Sequence, residues 1–511
     1  MRYYLGLDNG GSTTKAALFD KNGREVAVSN ISAAMLTPKP GFVERDMEEM
    51  WEANCQVIRD VLRKADICAG DVAGVGITGH GKGLYLWGKD GKPARNGIIS
   101  TDNRAYEYTN RWKSDGTEAK VFEKSCQHIM ACQPVSLLAW IKDNERSVYD
   151  NIKWVFECKD YVRFRMTGTP SAEITDYSCA NLMNLHTVQY DEELLKLFGI
   201  GEIIDCLPPI CSSTEICGFV SEDAAEKCGL NEGTPVIGGM VDIDACALGA
   251  GITDEERICM IAGTWSINEY IRSNPILDGK VLMNSLYCIP GYYLIEESSP
   301  TSAGNNEWFV RQLLPEFVEE HRKNGDSYYD DINSWVENIP PEEFVPTFLP
   351  FVLASNVHPN AKGCFIGISA NHTRGHLVRS IYEGVAFCHR MHAEKLINSR
   401  ESRPTAIRLA GGAAHSNVWT QIFADTLQLS IETVAANETG ALGCAIAVAV
   451  ALGDYDNITA ACTHMCNIVS VSLPNLDKAA VYEKKYHLYK RAIECLDPLW
   501  DNMQALVGTG G

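Results

Sequence analysis

The first 23 residues alternate apolar and polar positions in a pattern that predicts a β-hairpin. Residues 3–7 (Tyr-Tyr-Leu-Gly-Leu) and 16–20 (Ala-Ala-Leu-Phe-Asp) are apolar runs of strand length. The segment between them is rich in glycine, serine and threonine, and residues 21–23 carry a turn signal. We therefore expect two antiparallel strands joined by a glycine- and hydroxyl-rich loop at residues 8–15.

This loop has the composition of a phosphate-binding site. Glycines let the backbone come close to a ligand, hydroxyls and a lysine donate hydrogen bonds, and Asp8 is placed to hold a magnesium ion. The motif is not a P-loop, because no GxxxxGK[ST] pattern occurs and a strand follows it. The glycine-rich tip of an ordinary hairpin is the alternative. The residues predicted to bind phosphate are Asp8, Gly10, Gly11, Ser12, Thr13, Thr14 and Lys15.

The second half of the chain repeats this pattern. Residues 257–262 (Arg-Ile-Cys-Met-Ile-Ala) predict a strand, Gly263 and Thr264 begin a second loop, and residues 267–271 predict a returning strand. Between the two hairpins, strand-like runs alternate with helical patterns, as in α/β proteins. We expect a duplicated α/β fold with a boundary near residues 249–251, and two phosphate loops that face one cleft.

A glycine pair follows another predicted strand. Residues 407–410 read as that strand, and Ser416 or Asn417 caps the helix that comes next. A diglycine allows close approach of a nucleotide base or ribose, and a tight turn is the alternative. The residues predicted to contact the nucleotide here are Gly411, Gly412, Ala413 and Asn417. Further on, residues 438–443 begin a small-residue helix suited to close packing.

Composition narrows the class of protein. A chain of 511 residues with 45% hydrophobic and 22% charged residues predicts two or more domains with large cores. The net charge of −21 argues against nucleic acid as the main partner. The longest apolar stretch, residues 441–452, is too short to span a bilayer, so no membrane partner is expected. Nineteen cysteines without a CxxC pair, and an opening without a signal peptide, favour free thiols in the cytoplasm.

Four blocks in order resemble the FGGY carbohydrate kinases of the actin/Hsp70/hexokinase superfamily. The blocks are residues 8–15, residues 238–249, residues 363–368 with 376–384, and residues 409–413 with Trp419 and 424–425. The resemblance implies two ribonuclease H-like α/β domains with a cleft between them. It assigns residues 1–249 to an N-terminal domain with the sugar site and a phosphate loop, and residues 250–511 to a C-terminal domain that binds ATP and its adenosine. It also implies Mg-ATP as the phosphoryl donor and a small sugar as acceptor, and allows a homodimer.

Two departures from the family pattern concern the sugar more than the ATP. Gly11 stands where the family often has threonine, so one hydroxyl contact moves to Ser12 or Thr13. Leu137 stands where the N-terminal signature has a lysine. The identity of the sugar is therefore the part of the resemblance that these changes put in doubt.

The resemblance points to Asp242 as the catalytic base. The family aspartate lies seven residues before a glycine that matches Gly249. A carboxylate suits the transfer of a proton from the sugar hydroxyl. Asp244 follows two residues later and is a candidate sugar ligand or supporting group. An N-cap at the start of a helix is the alternative for either aspartate.

The sugar is expected against loops of the first domain. His80, Gly81 and Lys82 occupy the segment where glycerol kinases carry an arginine–glutamate pair, so glycerol is disfavoured. Asp102 and Arg104 resemble the Trp-x-Asp-x-Arg segment of the family, and a loop-fixing salt bridge between them is the alternative. These segments look most like the L-xylulose/3-keto-L-gulonate kinase branch. The alternative functions are a kinase for ribulose or erythritol and a non-metabolic ATPase switch of the same superfamily.

Overall fold

The computed structural model describes residues 2–355 and 357–507. The chain forms two compact units, each built from several segments. The first unit comprises Met1–Asp254, Ile271–Ile295 and Ala435–Asn467, and the second comprises Glu255–Tyr270, Glu296–Val434 and Ile468–Gly511. The first unit therefore includes a helical segment from late in the chain.

Strands occur throughout both halves of the sequence. Those of the first half are β1 (Tyr3–Asn9), β2 (Thr13–Phe19), β3 (Glu25–Ser32), β4 (Glu44–Arg45), β5 (Val72–Gly79), β6 (Tyr85–Gly88), β7 (Gly97–Ile98), β8 (Ile152–Phe156), β9 (Ala172–Glu173), β10 (Met183–Asn184), β11 (Gln189–Tyr190), β12 (Ile210–Cys211), β13 (Ile216–Phe219), β14 (Pro235–Ile237) and β15 (Met240–Val241). Those of the second half are β16 (Arg257–Ala262), β17 (Ser266–Arg272), β18 (Met283–Leu286), β19 (Tyr293–Ser299), β20 (Thr347–Leu349), β21 (Cys364–Ile366), β22 (Ala406–Ala410), β23 (Ile431–Val434) and β24 (Ile468–Ser472).

Helices alternate with these strands. In the first half they are α1 (Met47–Ala65), α2 (Tyr106–Ser114), α3 (Thr117–Ser125), α4 (Pro134–Asn144), α5 (Arg146–Asn151), α6 (Cys158–Thr167), α7 (Ile174–Tyr177), α8 (Glu192–Leu197), α9 (Glu222–Cys228) and α10 (Asp242–Gly249). In the second half they are α11 (Gly304–Leu313), α12 (Pro315–Asn324), α13 (Tyr329–Glu337), α14 (Arg374–Asn398), α15 (Asn417–Leu427), α16 (Thr439–Ala451), α17 (Ile458–Met465), α18 (Ala479–Leu496) and α19 (Trp500–Val507).

The main sheet of the first unit brings several predicted site residues to one edge. Its strand order is β13-β14-β5-β1-β2-β3, and β15 also pairs with β5. β1 and β5 are parallel, with Asp8 opposite Thr78. β15 is parallel to β5 as well, with Met240 opposite the same threonine. Since parallel strands end at the same edge of a sheet, Asp8 and the start of α10 lie at that edge.

A second sheet has the order β18-β19-β17-β16-β22-β23-β24. β16 and β17 are antiparallel, whereas β16 and β22 are parallel, with Ile261 opposite Ala410. Strands β1, β2 and β5 have the same arrangement: β1 and β2 form an antiparallel hairpin, and β5 returns parallel to β1 after a crossover connection. The prediction of an α/β chain with a related sheet in each half is confirmed.

The first hairpin differs from its prediction in one respect. Strands β1 and β2 continue through most of the expected loop, so that Asn9 pairs with Thr14 and Asp8 with Lys15. Only residues 10–12 remain at the tip. Asn9 and Thr14 are buried in these extensions and are satisfied by side-chain hydrogen bonds: Asn9 Nδ2 donates to Asn54 Oδ1 at 3.1 Å, and Thr14 Oγ1 accepts from Arg45 Nη2 at 2.7 Å.

The core of the first unit lies between its sheet and α1. Asp46 caps this helix by accepting hydrogen bonds from the backbone N–H groups of Glu48 and Glu49. One face of the helix is apolar and buried, and it includes Trp51 and Ile58. Burial of this stripe holds α1 against the sheet.

Helix α16 packs against the same sheet through small residues. A Cβ atom at Gly6 of β1 would lie 2.3 Å from the carbonyl oxygen of Ala441, and one at Gly443 would lie 2.1 Å from that of Ala245. Glycine is required at both positions because a larger side chain would collide with backbone. The prediction of a small-residue helix built for close packing is confirmed.

Across the described residues, no helix combines the length and apolar character needed to cross a membrane.

Candidate active site

Asp8 and Lys15 lie side by side at the hairpin of the first unit. Lys15 Nζ forms an ion pair with Glu438 Oε2 at 2.7 Å. Burial raises the pKa of Asp8 to about 6, while the nearby Lys15 opposes that rise. At neutral pH Asp8 is therefore a half-buried and mostly ionised carboxylate.

Gly440 and Thr78 lie next to the carboxylate of Asp8. A Cβ atom at Gly440 would lie 3.6 Å from Asp8 Oδ2 and 3.4 Å from Cys246 Sγ. The hydroxyl of Thr78 is buried, and no hydrogen-bond partner for it occurs in the part of the chain that the structure describes. An ionised carboxylate beside an unsatisfied hydroxyl is an environment in which a cation would relieve the cost of burial.

The remaining residues of the hairpin loop differ in exposure. Ser12 is exposed at the tip, Gly10, Gly11 and Thr13 are half-buried, and Thr14 is buried. Thr14 Oγ1 accepts a hydrogen bond from Arg45 Nη2 at 2.7 Å. Arg45 was not predicted, since it belongs to the two-residue strand β4, far from the loop in sequence. It places a buried guanidinium behind the loop.

Asp242 and Asp244 occupy the first turn of α10. Asp242 is the first residue of the helix and is half-buried, and its Oδ1 accepts a hydrogen bond from the N–H of Ile243. Asp244 is fully buried, and its Oδ1 accepts from the N–H of Cys288 at 3.0 Å. Burial and the nearby Glu173 raise the pKa of Asp244 well above its usual range. Asp242 is therefore the more accessible carboxylate of the two.

The predicted sugar loop lies next to the segment that leads into α10. A Cβ atom at Gly81 would lie 2.6 Å from Val241 Cγ2 and 3.6 Å from Asp176 Oδ1, so glycine is needed there. His80 Nε2 and the hydroxyl of Tyr85 are 2.8 Å apart. Burial lowers the pKa of His80 to about 4, so this histidine is neutral at physiological pH.

Lys82 adopts a left-handed conformation with φ of 65° and is half-buried in the same loop. Left-handed backbone is uncommon for residues other than glycine and often marks a functional loop. Burial raises the pKa of the neighbouring Cys132, and the charge of Lys82 opposes that rise. The lysine therefore contributes positive potential to this part of the first unit.

Asp102 and Arg104 form the salt bridge that was the alternative to sugar binding. Arg104 Nη2 lies 2.8 Å from Asp102 Oδ2 and 2.8 Å from Glu44 Oε1. Asp102 Oδ2 also accepts from the N–H of Val43 at 2.7 Å. In this arrangement Asp102 fixes its own loop, and contact of either residue with a sugar stays a prediction.

A buried charge cluster behind the sugar loop escaped the sequence analysis. Lys159 Nζ lies 3.1 Å from Asp160 Oδ1, 3.3 Å from Glu173 Oε2 and 3.1 Å from Asp176 Oδ2. All four side chains are fully buried. Burial raises the pKa of Asp176 to about 8. The only indication of this cluster in the sequence is the high density of ionisable residues between positions 157 and 176, and an exposed helix would show the same density.

The second unit contains a cavity of about 720 Å³ that includes predicted nucleotide-binding residues. Its lining includes Gly263 and Thr264 of the second hairpin loop, Gly304 at the start of α11, and Gly412. The N–H of Gly304 donates to the carbonyl of Gly263 at 3.2 Å. Such a volume is typical of sites for cofactor-sized molecules.

The glycine pair at the end of β22 adjoins this cavity. Gly411 has φ of 83°, and a Cβ atom there would lie 2.7 Å from the carbonyl oxygen of Ala262. Ala413 is buried, and Asn417 is exposed at the first position of α15. Neither residue lines the cavity. Ser416, the other candidate cap, accepts from the N–H of Trp419 and so caps α15.

One wall of the cavity presents a fixed amide. The rings of Tyr382 and Trp419 are stacked 3.8 Å apart. Ser416 Oγ, which accepts from Trp419, donates to Asn333 Oδ1 at 2.7 Å, and the hydroxyl of Tyr382 donates to the same oxygen at 3.2 Å. Asn333 Oδ1 is therefore turned to the wall, and its NH₂ group makes no hydrogen bond to the described residues. Asn333 lies in a segment without a recognised motif, so the sequence analysis missed it.

The family models match nearly the whole chain. The FGGY family of carbohydrate kinases, N-terminal domain, matches residues 3–249, and the FGGY family C-terminal domain matches residues 258–452. The protein is 38% identical over 497 residues to L-xylulose/3-keto-L-gulonate kinase of Escherichia coli K12, covering 97% of each chain. It is 37% identical to the probable L-xylulose kinase of Haemophilus influenzae, covering 98% of this chain and 100% of that protein.

A solved structure supports the fold. Ligand-bound xylulose kinase from Lactobacillus acidophilus superposes with a TM-score of 0.86 at 23% identity, covering 98% of this chain and 100% of that one. The two-domain α/β fold predicted from the sequence is thus confirmed. Kinases of this kind use ATP as phosphoryl donor and a sugar as acceptor, which makes both the substrates of this enzyme. The chain belongs to the FGGY family of carbohydrate kinases.

Proposed function

We propose that the protein phosphorylates an open-chain ketose, L-xylulose or 3-keto-L-gulonate, with Mg-ATP as donor. The observation that carries this substrate assignment is the 38% identity to the L-xylulose/3-keto-L-gulonate kinase of Escherichia coli, which extends over 97% of both chains. The loop of Gly81 and Lys82 supports a substrate other than glycerol, because the arginine–glutamate pair of glycerol kinases is absent there.

Asp242 serves as the general base in this proposal. Its carboxylate accepts the proton of a sugar hydroxyl while that oxygen bonds to the γ-phosphorus of ATP. The bond from this phosphorus to the β–γ bridging oxygen breaks, so that the products are a sugar phosphate and ADP. The half-buried position of Asp242 at the start of α10 supports this role, because the carboxylate remains accessible in an otherwise buried segment.

Asp8 is the residue that would hold Mg²⁺. An ionised, half-buried carboxylate with an unsatisfied hydroxyl nearby suits a hard cation. Among residues 2–355 and 357–507, no group of three or more acidic, histidine or cysteine side chains is arranged to hold a metal ion, which suits an ion held mainly by substrate phosphates and water. When bound, Mg²⁺ neutralises charge on the phosphates. Lys15 and the hydroxyls of residues 12–14 would contact the same phosphates.

The cavity of the second unit would hold the nucleotide. Gly263 and Thr264 would face its phosphates, and Gly411, Gly412 and Ala413 would lie near the adenosine. The lining of this cavity by Gly263, Thr264 and Gly412 supports the assignment. His80, Lys82, Asp102, Arg104 and Asp244 remain proposed sugar-binding residues.

The experiment that tests the proposal measures ADP release with Mg-ATP over a panel of sugars. The panel contains L-xylulose, 3-keto-L-gulonate, ribulose, erythritol and glycerol, and Asp242→Asn is the control variant. We expect turnover with L-xylulose or 3-keto-L-gulonate that the variant loses by at least a hundredfold. Turnover confined to ribulose or erythritol would overturn the substrate assignment. Full activity of the variant would overturn the role of Asp242.

We also propose that the protein forms a homodimer in the cytoplasm. Strand β24 is the last strand of its sheet and exposes Val469 and Val471. An exposed apolar edge strand is an available pairing surface. All nineteen cysteines lie among the described residues and none of them forms a disulfide, which suits a reducing compartment where ATP is supplied. Light scattering after size-exclusion chromatography tests the dimer, which a monomeric mass at micromolar concentration would exclude.

A further inference from the structure

A continuous set of buried hydrogen bonds leads from the buried charge cluster to the residue before Asp242. Glu173 Oε2 accepts from Thr175 Oγ1 at 2.7 Å and lies 3.3 Å from Lys159 Nζ. Thr175 Oγ1 in turn accepts from the backbone N–H of Val241 at 2.9 Å. Glu173, Thr175 and Lys159 are fully buried, and Val241 nearly so. The hydroxyl of Thr175 thus joins the cluster to Val241, directly before α10.

The donor and the acceptor of each hydrogen bond in this series are fixed. A backbone N–H can only donate, so Thr175 Oγ1 is the acceptor from Val241 and must give its own proton to Glu173. Glu173 Oε1 accepts from the N–H of Thr175 at 3.1 Å and from the hydroxyl of Ser213 at 2.7 Å. With Lys159 beside Oε2, both oxygens of Glu173 are engaged. A buried network in which every partner is satisfied holds one geometry.

We propose that Thr175, held by Glu173, is a positioning residue that fixes the backbone of Val241 and thereby the direction of the Asp242 carboxylate. The inference rests on the proposed role of Asp242 as general base. Val241 has the extended conformation of a helix N-cap, and Asp242 is the first helical residue after it. A rotation of the peptide at Val241 would therefore swing the carboxylate that follows.

The packing around Val241 indicates that its backbone orientation depends on the hydroxyl of Thr175. Val241 pairs with Gly79 of β5. Its Cγ2 atom packs against Gly81 of the predicted sugar loop, where a Cβ atom would lie only 2.6 Å from it. Gly239, two residues earlier, has φ of 72°, a left-handed conformation that glycine adopts without strain. Without the hydroxyl of Thr175, the short strand β15 would lose the side-chain hydrogen bond that, together with its pairing to β5, sets its angle into α10. Misplacement of a reacting group by about 1 Å costs about a hundredfold in rate.

The protein offers a matched control in Ser213. Both Thr175 and Ser213 donate from a buried hydroxyl to Glu173 at 2.7 Å, but only Thr175 also accepts from Val241. Loss of either hydroxyl removes one hydrogen bond from Glu173. A purely structural role therefore predicts similar effects of Thr175→Val and Ser213→Ala, whereas positioning predicts that only the first slows the reaction.

The test compares steady-state kinetics of wild type, Thr175→Val, Thr175→Ser, Ser213→Ala and Asp242→Asn with the sugar that the wild type phosphorylates. We expect Thr175→Val to lower kcat by about ten- to a hundredfold, with the sugar KM within about threefold of wild type. Thr175→Ser keeps the hydroxyl and should restore kcat to within about threefold. Ser213→Ala should also stay within about threefold. If Thr175→Val does not fold, Thr175→Ala serves the same comparison.

The outcomes separate this inference from the proposed function. A wild-type kcat in Thr175→Val would overturn the positioning role, as would an equal loss in Ser213→Ala or a rise in KM at unchanged kcat. In each of these cases Asp242→Asn remains inactive, and the role of Asp242 stands. Full activity of Asp242→Asn would instead remove the base on which the inference depends, and both would fail.

Discussion

Asp8 is a single residue whose proposed role in binding magnesium is expected to lower the stability of the folded protein. Its carboxylate is half-buried, and burial raises its pKa to about 6. An asparagine of the same shape would avoid the cost of burying a charge. The proposed magnesium ion would offset the cost of burying the Asp8 carboxylate. Active sites commonly give up stability for function in this way.

Asp8→Asn is therefore expected to stabilise the protein in a pH-dependent way. The folded pKa of about 6 is above the unfolded value of 3.8, so the folded state keeps a proton that the unfolded chain releases. Wild-type stability consequently falls as pH rises from about 4 to 6, and the variant lacks this loss. Between pH 5 and 7.5 the free energy of unfolding of the variant should gain about 1 kcal/mol relative to wild type.

Urea unfolding at the two pH values measures this difference, and the activity assay should show loss of turnover in the same variant. Comparison within each pH cancels the titration of all other groups. A variant that is less stable than wild type by the same amount at both pH values would contradict the assignment of a raised pKa to Asp8.

At the scale of secondary-structure elements, α16 sets how closely the layers of the first unit approach. The helix is buried from Thr439 to Ala449, and it meets β1 and α10 at glycines. Gly443 faces the carbonyl of Ala245, and Gly440 faces Asp8. The same close approach that packs the core also shapes the space beside the Asp8 carboxylate.

Gly443→Ala should destabilise the protein although alanine is the better helix former. The added Cβ would lie 2.1 Å from the carbonyl oxygen of Ala245, which forces the helices apart. Overpacking of this kind costs about 1–3 kcal/mol, against about 1 kcal/mol gained in helix propensity. Thermal unfolding measures the loss. Gly70→Ala is the control, since its nearest neighbour would be 3.5 Å away, and equal stability changes in the two variants would contradict the argument.

Asn333 of α13 is expected to contribute to nucleotide affinity. Tyr382 and Ser416 hold its oxygen, so its NH₂ group is available to donate to a ring nitrogen or ribose oxygen of the nucleotide proposed for this cavity. Asn333→Leu should raise the Kd for ADP about three- to tenfold, the value of one hydrogen bond. Calorimetry measures it, with Asn338→Leu at the end of the same helix as control. An unchanged Kd in Asn333→Leu would exclude contact with the nucleotide.

The elements themselves follow closely from the sequence, whereas the contacts between distant elements do not. Strand β16 has the predicted bounds, because local periodicity and turn residues decide them. Asp242 was selected by its register to Gly249. The bond from Val241 to Thr175, however, joins residues 66 positions apart, and nothing in either segment marks the partner. The charges around Lys159 were equally hidden, since a buried charge and an exposed one look the same in a sequence.

At the scale of the whole molecule, the two units carry different parts of the proposed reaction. Asp8, Asp242 and the predicted sugar loop belong to the first unit, and the cavity that includes Gly263, Thr264 and Gly412 belongs entirely to the second. The predicted sugar loop with Asp242 and the nucleotide cavity are thus each built by one unit, while the proposed phosphate contacts of residues 12–15 come from the first unit. A substitution at Asp242 should therefore leave nucleotide binding intact.

Two variants test this separation. Asp242→Asn should bind ADP with a Kd within twofold of wild type while turnover is lost, since no residue of its unit lines the cavity. Gly411→Val should lose ADP binding by at least tenfold, because its φ of 83° and the 2.7 Å approach to Ala262 exclude a branched side chain. Calorimetry with ADP and with the sugar measures both, and retained sugar binding by Gly411→Val shows that its first unit is folded. Loss of ADP binding in Asp242→Asn would contradict the expected independence of the nucleotide cavity from Asp242.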